Sequence, residues 1–345
     1  MNIQNKKLEK LLSCPNCKLP TLKMGLQKIK CEACGESFNI CLNTPVLIKK
    51  DSPVLEWYEP KKISTLSTSK GFKKVVHALY IWLKPEDRVW TTNSLKAIHG
   101  LLEENNPDAD DCNVVLVGAG FERVYRRILK LYRNIIRIGL PSRGDVDLVS
   151  DICDIPLIKD SLDLLLSSSV LEHVYNPEQA VKEMFRVVKP GGYVYAEIPF
   201  MRAYHMIPVD YQRYTISGIE ELFKRHGFTL ISKGICSGPF TALALFLTDF
   251  GGSLFSFNKY IRAIFSLILS LIFHPVKYLD RFFENSQWAK VNACNFYYIG
   301  RKNEISPSFE FETEPVNQAH PRHCRGNSTL RRKRCSVARA SCFGL

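Results

Sequence analysis

From residue 112 onward the chain alternates short apolar runs with helical periodicity, and this alternation limits the fold more than any other feature. Val114–Val117 reads as a buried strand, Phe121–Tyr132 as a helix, and Ile135–Ile138 and Val146–Val149 as short strands. Leu162–Leu166 is a further strand, followed by a helix near Pro177–Val188, a strand over Tyr193–Ile198 and a returning strand within 291–300. Such alternation predicts an α/β domain on a doubly wound parallel sheet, whose ligands sit at the carboxyl ends of the strands. At 345 residues the chain has room for that domain, over 112–302, and for appendages over 1–50, 51–111 and 303–345.

Three features fall at those carboxyl ends. The first is VVLVGAGFERVY, where Gly118-Ala119-Gly120 follows a strand and would let a ligand approach the backbone beside a helix start. Glu122 stands where a third glycine would fall. The second is DICDIPL, in which Asp151 ends a strand and either accepts a hydrogen bond from a ligand amino group or closes an Asx turn. The third is the run from Ser161 to Pro199, where a strand ends in serines and a loop carries Glu172-His173. There a helix is capped near Asn176-Pro177, and Lys189-Pro190-Gly191-Gly192 is expected to stop it and turn into the next strand.

The N-terminus carries Cys14-Pro-Asn-Cys17 and, thirteen residues later, Cys31-Glu-Ala-Cys34-Gly35. Two residues between cysteines let both thiolates of one tight turn face one ion, and two such knuckles complete a tetrahedral S₄ shell suited to structural Zn²⁺. Lys18, Lys28 and Lys30 are expected to offset the negative charge of that site. Of twelve cysteines only these four are paired in this way, which suits a metal in a reducing compartment better than disulfides.

Residues 11–48 resemble the Trm112-like zinc ribbon, which implies a structural metal and a surface able to hold a protein partner. The residues of the α/β segment, taken in order, resemble a class I S-adenosylmethionine-dependent methyltransferase of the type 11 kind over roughly 112–235. The likeness is strongest in Asp151–Leu157, Ser161-Leu162-Asp163, Leu171-Glu172-His173 and Lys189–Gly192. It implies a Rossmann-like sheet in which Gly118, Ala119 and Gly120 hold the methionine end of the cofactor. Asp151 and the Ile152 amide would read adenine, and Ser168 and Ser169 would line the pocket floor. Two acids that the family uses are replaced: Leu116 stands two residues before the first glycine, and IIRIGLPSRGDV offers no ribose-binding carboxylate before Asp145. A hydrogen bond to a charged group contributes about 1.5–3 kcal/mol, so this loss weakens cofactor affinity without abolishing it. Glu122 either faces the cofactor instead or serves the helix dipole.

Leu171-Glu172-His173 occupies the place where base-modifying enzymes carry an Asn/Asp-Pro-Pro-aromatic tetrad, as in enzymes acting on small molecules or lipids. Downstream, His205 is a candidate general base with Asp210 orienting it, while Arg213 and Tyr214 are candidate substrate contacts. Competing readings make Asp210–Arg213 a structural ion pair and His173 a satisfied loop histidine. Residues 238–284 form a helical insertion in which Ala263–Phe273 is almost unbroken in apolarity but too short to span a bilayer. It is either a buried helix or an interfacial element flanked by Lys259, Arg262, Lys277 and Arg281. A similar insertion in surface-polysaccharide methyltransferases makes a lipid-linked or glycan acceptor the leading expectation, beside other small molecules. An rRNA base methyltransferase and an inactive binding scaffold are the alternatives.

The net charge is +13, but residues 1–50 carry +6, residues 301–345 carry +5 and the remainder only +2. A basic nucleic-acid cleft in the central domain is therefore not expected. The polar start MNIQNKKLEK has no apolar core of a secretory signal, so a cytoplasmic location, peripheral to the inner face of a membrane, is expected. The basic tail from Asn303 reads as disordered.

Overall fold

The computed structural model describes residues 3–41, 43–58, 91–105, 112–118, 135–140, 146–204, 209–255, 257–283 and 286–303. The expected helix Phe121–Tyr132 and the basic tail lie outside the described residues. The chain begins with helix α1 (Ile3–Leu11) and an antiparallel meander of β1 (Leu22–Met24), β2 (Lys28–Cys31), β3 (Ser37–Cys41) and β4 (Thr44–Leu47). In β2 the period-two pattern places Ile29 and Cys31 inside and Lys28 and Lys30 in solvent. Helix α2 (Thr91–Asn105) precedes β5 (Val114–Val117), β6 (Ile135–Ile138), the two-residue β7 (Val149–Ser150) and β8 (Leu162–Ser168). Then follow α3 (Pro177–Val187), β9 (Val188–Pro199), α4 (Ile216–Arg225), β10 (Phe228–Ser237), α5 (Pro239–Ser253), α6 (Lys259–Phe273) and β11 (Asn295–Lys302).

The main sheet has the order β10-β11-β9-β8-β5-β6, with β6, β5, β8 and β9 parallel and β11 antiparallel to both its neighbours. Both faces are covered. Val114, Leu116, Leu164, Leu166 and Tyr195 pack with Leu95, Ile98 and Leu102 of α2 on one side. Val115, Val117, Leu165, Val194 and Ala196 pack on the other with Val181 and Met184 of α3 and Leu222 and Phe223 of α4. Double coverage is why these strands read as unbroken apolar runs instead of alternating ones. The chain leaves β5 outward to β6, and β8 returns on the opposite side of β5 to lead toward β9, so the strand order reverses between β5 and β8.

Three sequence expectations change. Val146–Val149 does not form a strand of the main sheet: only Val149–Ser150 is extended, and it pairs in parallel with β4. A lone bridge, Ile138↔Leu148, joins it to β6. Asp147 explains the brevity, because its carboxylate accepts from the Arg137 amide (2.8 Å), taking a donor that a longer ladder would use. Lys189–Gly192 is not a separate turn but the opening of β9, with a register shift against β8 between Leu162 and Leu164. Gly191 takes φ +80° there, and a Cβ on Gly192 would lie 3.0 Å from the Leu162 carbonyl oxygen. The insertion, finally, is longer than the apolar run: α6 continues through a 3₁₀ stretch, His274–Phe282, so that Ile261–Phe282 makes 22 helical residues. By length and composition that suffices to cross a membrane, and it is largely exposed, not a buried helix packed on its own domain.

The cysteine-bearing meander shares its core with the main domain. Leu8, Leu11, Leu12, Ile29, Phe38 and Leu47 pack in one cluster with Ile152, Ile155 and Leu157. Main-chain bonds join them, from Ser13 N to the Pro156 carbonyl and from Ile158 N to that of Leu11 (both 2.9 Å). Lys18 does not neutralise the thiolates as expected; its Nζ reaches Asp154 (3.2 Å) and Glu183 (2.9 Å) across this seam. Lys49 meets the same Asp154 at 2.5 Å.

Candidate active site and metal centre

The four sulfurs of Cys14, Cys17, Cys31 and Cys34 lie within 4.8 Å of one another, with Cys14–Cys34 at 3.7 Å and Cys17–Cys31 at 3.6 Å. Metal–sulfur bonds of about 2.3 Å in a tetrahedron place sulfurs about 3.8 Å apart, so the quartet has the dimensions of such a shell. The two knuckles repeat one backbone device. Lys18 N bonds the Cys14 carbonyl and Gly35 N that of Cys31, with Lys18 at φ +61° and Gly35 at φ +76°. Burial pushes the Cys14 thiol up to about 12. Cys31 is buried too, yet the Thr21 hydroxyl and the Cys34 and Ala33 amides hold it down to about 6.

At the carboxyl ends of the parallel strands, several sequence candidates converge. Gly118 ends β5 with φ +88°, and a Cβ there would come within 2.5 Å of Val170 Cγ2, so no side chain fits without displacement. Its amide donates to the Ile138 carbonyl (3.1 Å). Ser168 ends β8 and donates to Glu197 Oε2 on β9 (3.0 Å), while Ser169 takes φ +52°, its amide bonded to the Glu197 carbonyl (2.8 Å). A serine in the left-handed region at a strand end is the kind of backbone strain found at ligand sites. Ala119, Gly120 and Glu122 lie outside the described residues.

Asp151 is buried and caps a 3₁₀ turn, Ile152–Asp154: Oδ1 accepts from Cys153 N (2.9 Å). Oδ2 accepts from Ser52 Oγ (2.6 Å) and Tyr175 Oη (3.3 Å). The Asx turn is thus formed, and Ser52 reaches it from the segment that follows β4. Ile152, in the same turn, is buried. At the end of β6, where a ribose-binding acid is absent from the sequence, Gly139 stands at φ +137° and packs on Gly118. The nearby Asp147 is clamped by the Arg137 guanidinium at 2.9 and 3.0 Å.

The loop after β8 and residues 209–214 are strapped together. Tyr211 N donates to the Glu172 carbonyl (2.8 Å), and Gln212 Nε2 donates to those of Leu171 (2.8 Å) and Val174 (3.1 Å). Glu172 is fully buried, and desolvation pushes its carboxyl up to about 8. His173 Nδ1 lies 2.6 Å from the Val209 carbonyl, which can only accept, so the proton resides on Nδ1 and the lone pair on Nε2. Nε2 is 3.7 Å from Glu172 Oε1, and burial lowers the His173 pKa, favouring the neutral ring. Asp210 and Arg213 form a two-pronged ion pair, the structural alternative weighed from the sequence. Tyr214 packs against the main core, and desolvation raises its phenol pKa. His205 lies outside the described residues.

Ser52, Tyr175 and Glu197 were not singled out from the sequence. Ser52 and Tyr175 carry no local signal, because only the fold brings them to Asp151. Glu197 could have been flagged as an acid in an otherwise apolar strand.

The methyltransferase-domain family matches residues 117–196. An uncharacterized methyltransferase of Mycobacterium bovis is 58% identical over 40 residues, which cover 12% of this chain and 16% of that protein. A Mycobacterium tuberculosis counterpart is 55% identical over the same length and shares. The chain therefore spans only about a sixth of the curated relatives it matches. Among solved structures, it is similar to the [4+2]-cyclase SpnF, with 17% identity, 63% and 84% of the two chains covered and a TM-score of 0.39. It is also similar to Haemonchus contortus phosphoethanolamine N-methyltransferase 2 in complex with S-adenosyl-L-methionine (14%, 70% and 60%, 0.41). The sheet is of the doubly wound α/β kind, and the match to the methyltransferase-domain family runs from the last residue of β5 into β9.

Proposed function

We propose that the chain is an S-adenosylmethionine-dependent methyltransferase whose acceptor is a lipid-linked or glycan hydroxyl or amine. The observation that carries the reading is Gly118 at φ +88°, beside the point where strand order reverses and inside the family-matched segment. When bound, the cofactor supplies an electrophilic methyl group on a sulfonium. Gly118–Gly120 would hold its methionine end, Asp151 and the Ile152 amide its adenine, and Ser168 and Ser169 the pocket floor. Ser52 and Tyr175 fix the Asp151 carboxylate, so this wall is preset before ligand arrives. Without an acid after β6, cofactor binding is expected to be weaker than a ribose clamp would give. His173 is the base this geometry favours: a neutral ring with its lone pair on Nε2 can take the acceptor's proton as the methyl bond forms. Glu172, with its carboxyl raised to about 8, keeps a neutral neighbour for that ring.

The four cysteines would hold one Zn²⁺ with no open position, which makes the metal structural and leaves methyl transfer to the sheet's carboxyl edge. Because the ribbon is fastened to its own main domain, its free faces alone remain for a protein partner.

Methyl-labelled S-adenosylmethionine tests the reading against lipid extracts, glycans and total RNA. Label entering the lipid or glycan fraction, lost in His173→Ala and kept in His205→Ala, is the expected result. Label in RNA alone would overturn the acceptor, and label in none of the fractions would favour the scaffold alternative.

A further inference from the structure

We propose that α5, α6 and the 3₁₀ stretch to Phe282 form a helical hairpin that seats the protein in the headgroup region of an anionic lipid bilayer. The hairpin is built inside out. Its helices approach closely at glycines: a Cβ on Gly251 would lie 2.3 Å from Leu269 Cδ1, and one on Gly252 2.2 Å from Ser266 Oγ, while Phe255 and Phe265 stack just beyond the end of α5. Thr241, Thr248 and Ser270 are buried. The large apolar side chains point away: Phe246 and Phe250 on α5, Leu254 at its C-cap, and Ile264, Leu271 and Ile272 on α6 are each more than half exposed. The first three recur every four residues, one stripe of a helix. In water this arrangement leaves apolar stripes uncovered, whereas in lipid, helices meet through small residues and turn large ones outward.

The foot of the hairpin is rigid. Asp280 accepts from the amides of Gly238 (3.2 Å), Phe240 (2.9 Å) and Thr241 (3.2 Å) and from Thr241 Oγ1 (2.6 Å), closing the start of α5 against the end of the 3₁₀ stretch. Both ends of the insertion thus return to the main sheet, through β10 and β11. A single crossing would leave them on opposite sides. A double crossing fails as well, because 15 residues of α5 span about 22 Å against a hydrocarbon core of about 30 Å. Asp249, Lys259 and Arg262 also flank the turn, so the hairpin lies in the plane of the interface and not tip-down.

Charge selects the occupant. Over 239–283 there are four Lys/Arg, at 259, 262, 277 and 281, against two acids; Lys277 and Asp280 are both buried at the foot, which leaves Lys259, Arg262 and Arg281 against Asp249. A second copy would bring like charge against like, whereas anionic headgroups complement the surplus. Trp288, beyond the foot and highly exposed, adds an aromatic suited to the same level.

The test uses the full chain, sedimented with vesicles of phosphatidylcholine alone or mixed with phosphatidylglycerol. The mixed vesicles should carry the protein down, and Phe246→Ser combined with Ile264→Ser should weaken binding at least tenfold. Arg262→Glu with Arg281→Glu should remove the preference for the anionic mixture. S-adenosylhomocysteine binding, read on the same preparations, should be unchanged in both variants, so failure here is distinct from failure of the methyltransferase reading. Protein that stays in the supernatant with both vesicle types overturns the proposal, as does binding insensitive to the apolar pair. A dimer that the same pair dissociates, without lipid binding, would assign the stripes to a second copy.

Discussion

Two appendages of the α/β core treat their apolar residues in opposite ways. The N-terminal ribbon turns Leu12, Ile29 and Leu47 inward to a core shared with Ile155 and Leu157, ties β4 to β7 and spans the seam with Lys18 and Lys49. The hairpin keeps small residues between its helices and leaves Phe246, Phe250 and Ile264 outside. Burial therefore tells which appendage is completed by the chain itself and which calls for an environment the chain lacks. The ribbon's cost of ordering is met within the fold, whereas the hairpin's apolar stripes gain nothing from it.

The contrast can be broken at the metal first. Cys31→Ser should release zinc and unfold the ribbon; because the core is shared, the whole domain should lose at least about 3 kcal/mol and about 5–10 °C of thermal midpoint. A midpoint unchanged by the substitution or by chelation would mean the ribbon is independent of the sheet. Next, equivalent truncations should diverge. Ile29→Ala, fully buried, should cost about 2–5 kcal/mol, whereas Phe246→Ser, at 57% exposed, should stay within about 0.5 kcal/mol in denaturant titrations.

A third effect is pH-dependent. Glu172 has its folded pKa raised from 4.5 to about 8, so the folded state keeps a proton that the unfolded state has released. Its contribution to stability is full below 4.5, falls as pH rises and levels off above about 8, by up to about 1.4 kcal/mol per pH unit. His173, with its pKa lowered below 6.5, acts in the opposite sense beneath that value, and Cys31, held down from 9.0 to about 6, acts in the opposite sense between those two values. The Glu172 part is therefore read from 6.5 to 8 as the difference between the two proteins: Glu172→Gln should remove the downward contribution there. A smaller loss is expected for Lys18→Met, which removes the bridge to Asp154 and Glu183 and should cost about 1 kcal/mol without altering metal content.

Much of this was legible in the chain. Apolar runs at Val114, Ile135, Leu162 and Tyr193 located the parallel strands because both faces of the sheet are covered, and the spacing of Cys14, Cys17, Cys31 and Cys34 located the cluster of four sulfurs. The destination of β7 was not legible. Val146–Val149 has the composition of any buried strand, and only the Asp147–Arg137 clamp and the approach of β4 decide its partner. Asp151 illustrates the same limit: its acid is evident in DICD, but the hydroxyls holding it come from Ser52 and Tyr175, remote in sequence. The bounds of the insertion, 238–284, were legible, but the apolar run Ala263–Phe273 did not show that the helix continues past it as 3₁₀ turns to Phe282.

The central claim is that the carboxyl edge around Gly118 holds S-adenosylmethionine, and calorimetric titration of zinc-loaded protein with S-adenosylhomocysteine tests it most directly. Saturable one-to-one binding, lost in Gly118→Val as the added side chain meets Val170 and weakened in Asp151→Ala, is the predicted result. A folded protein that takes up no ligand at millimolar concentration, or binds equally well with Val at position 118, would contradict it.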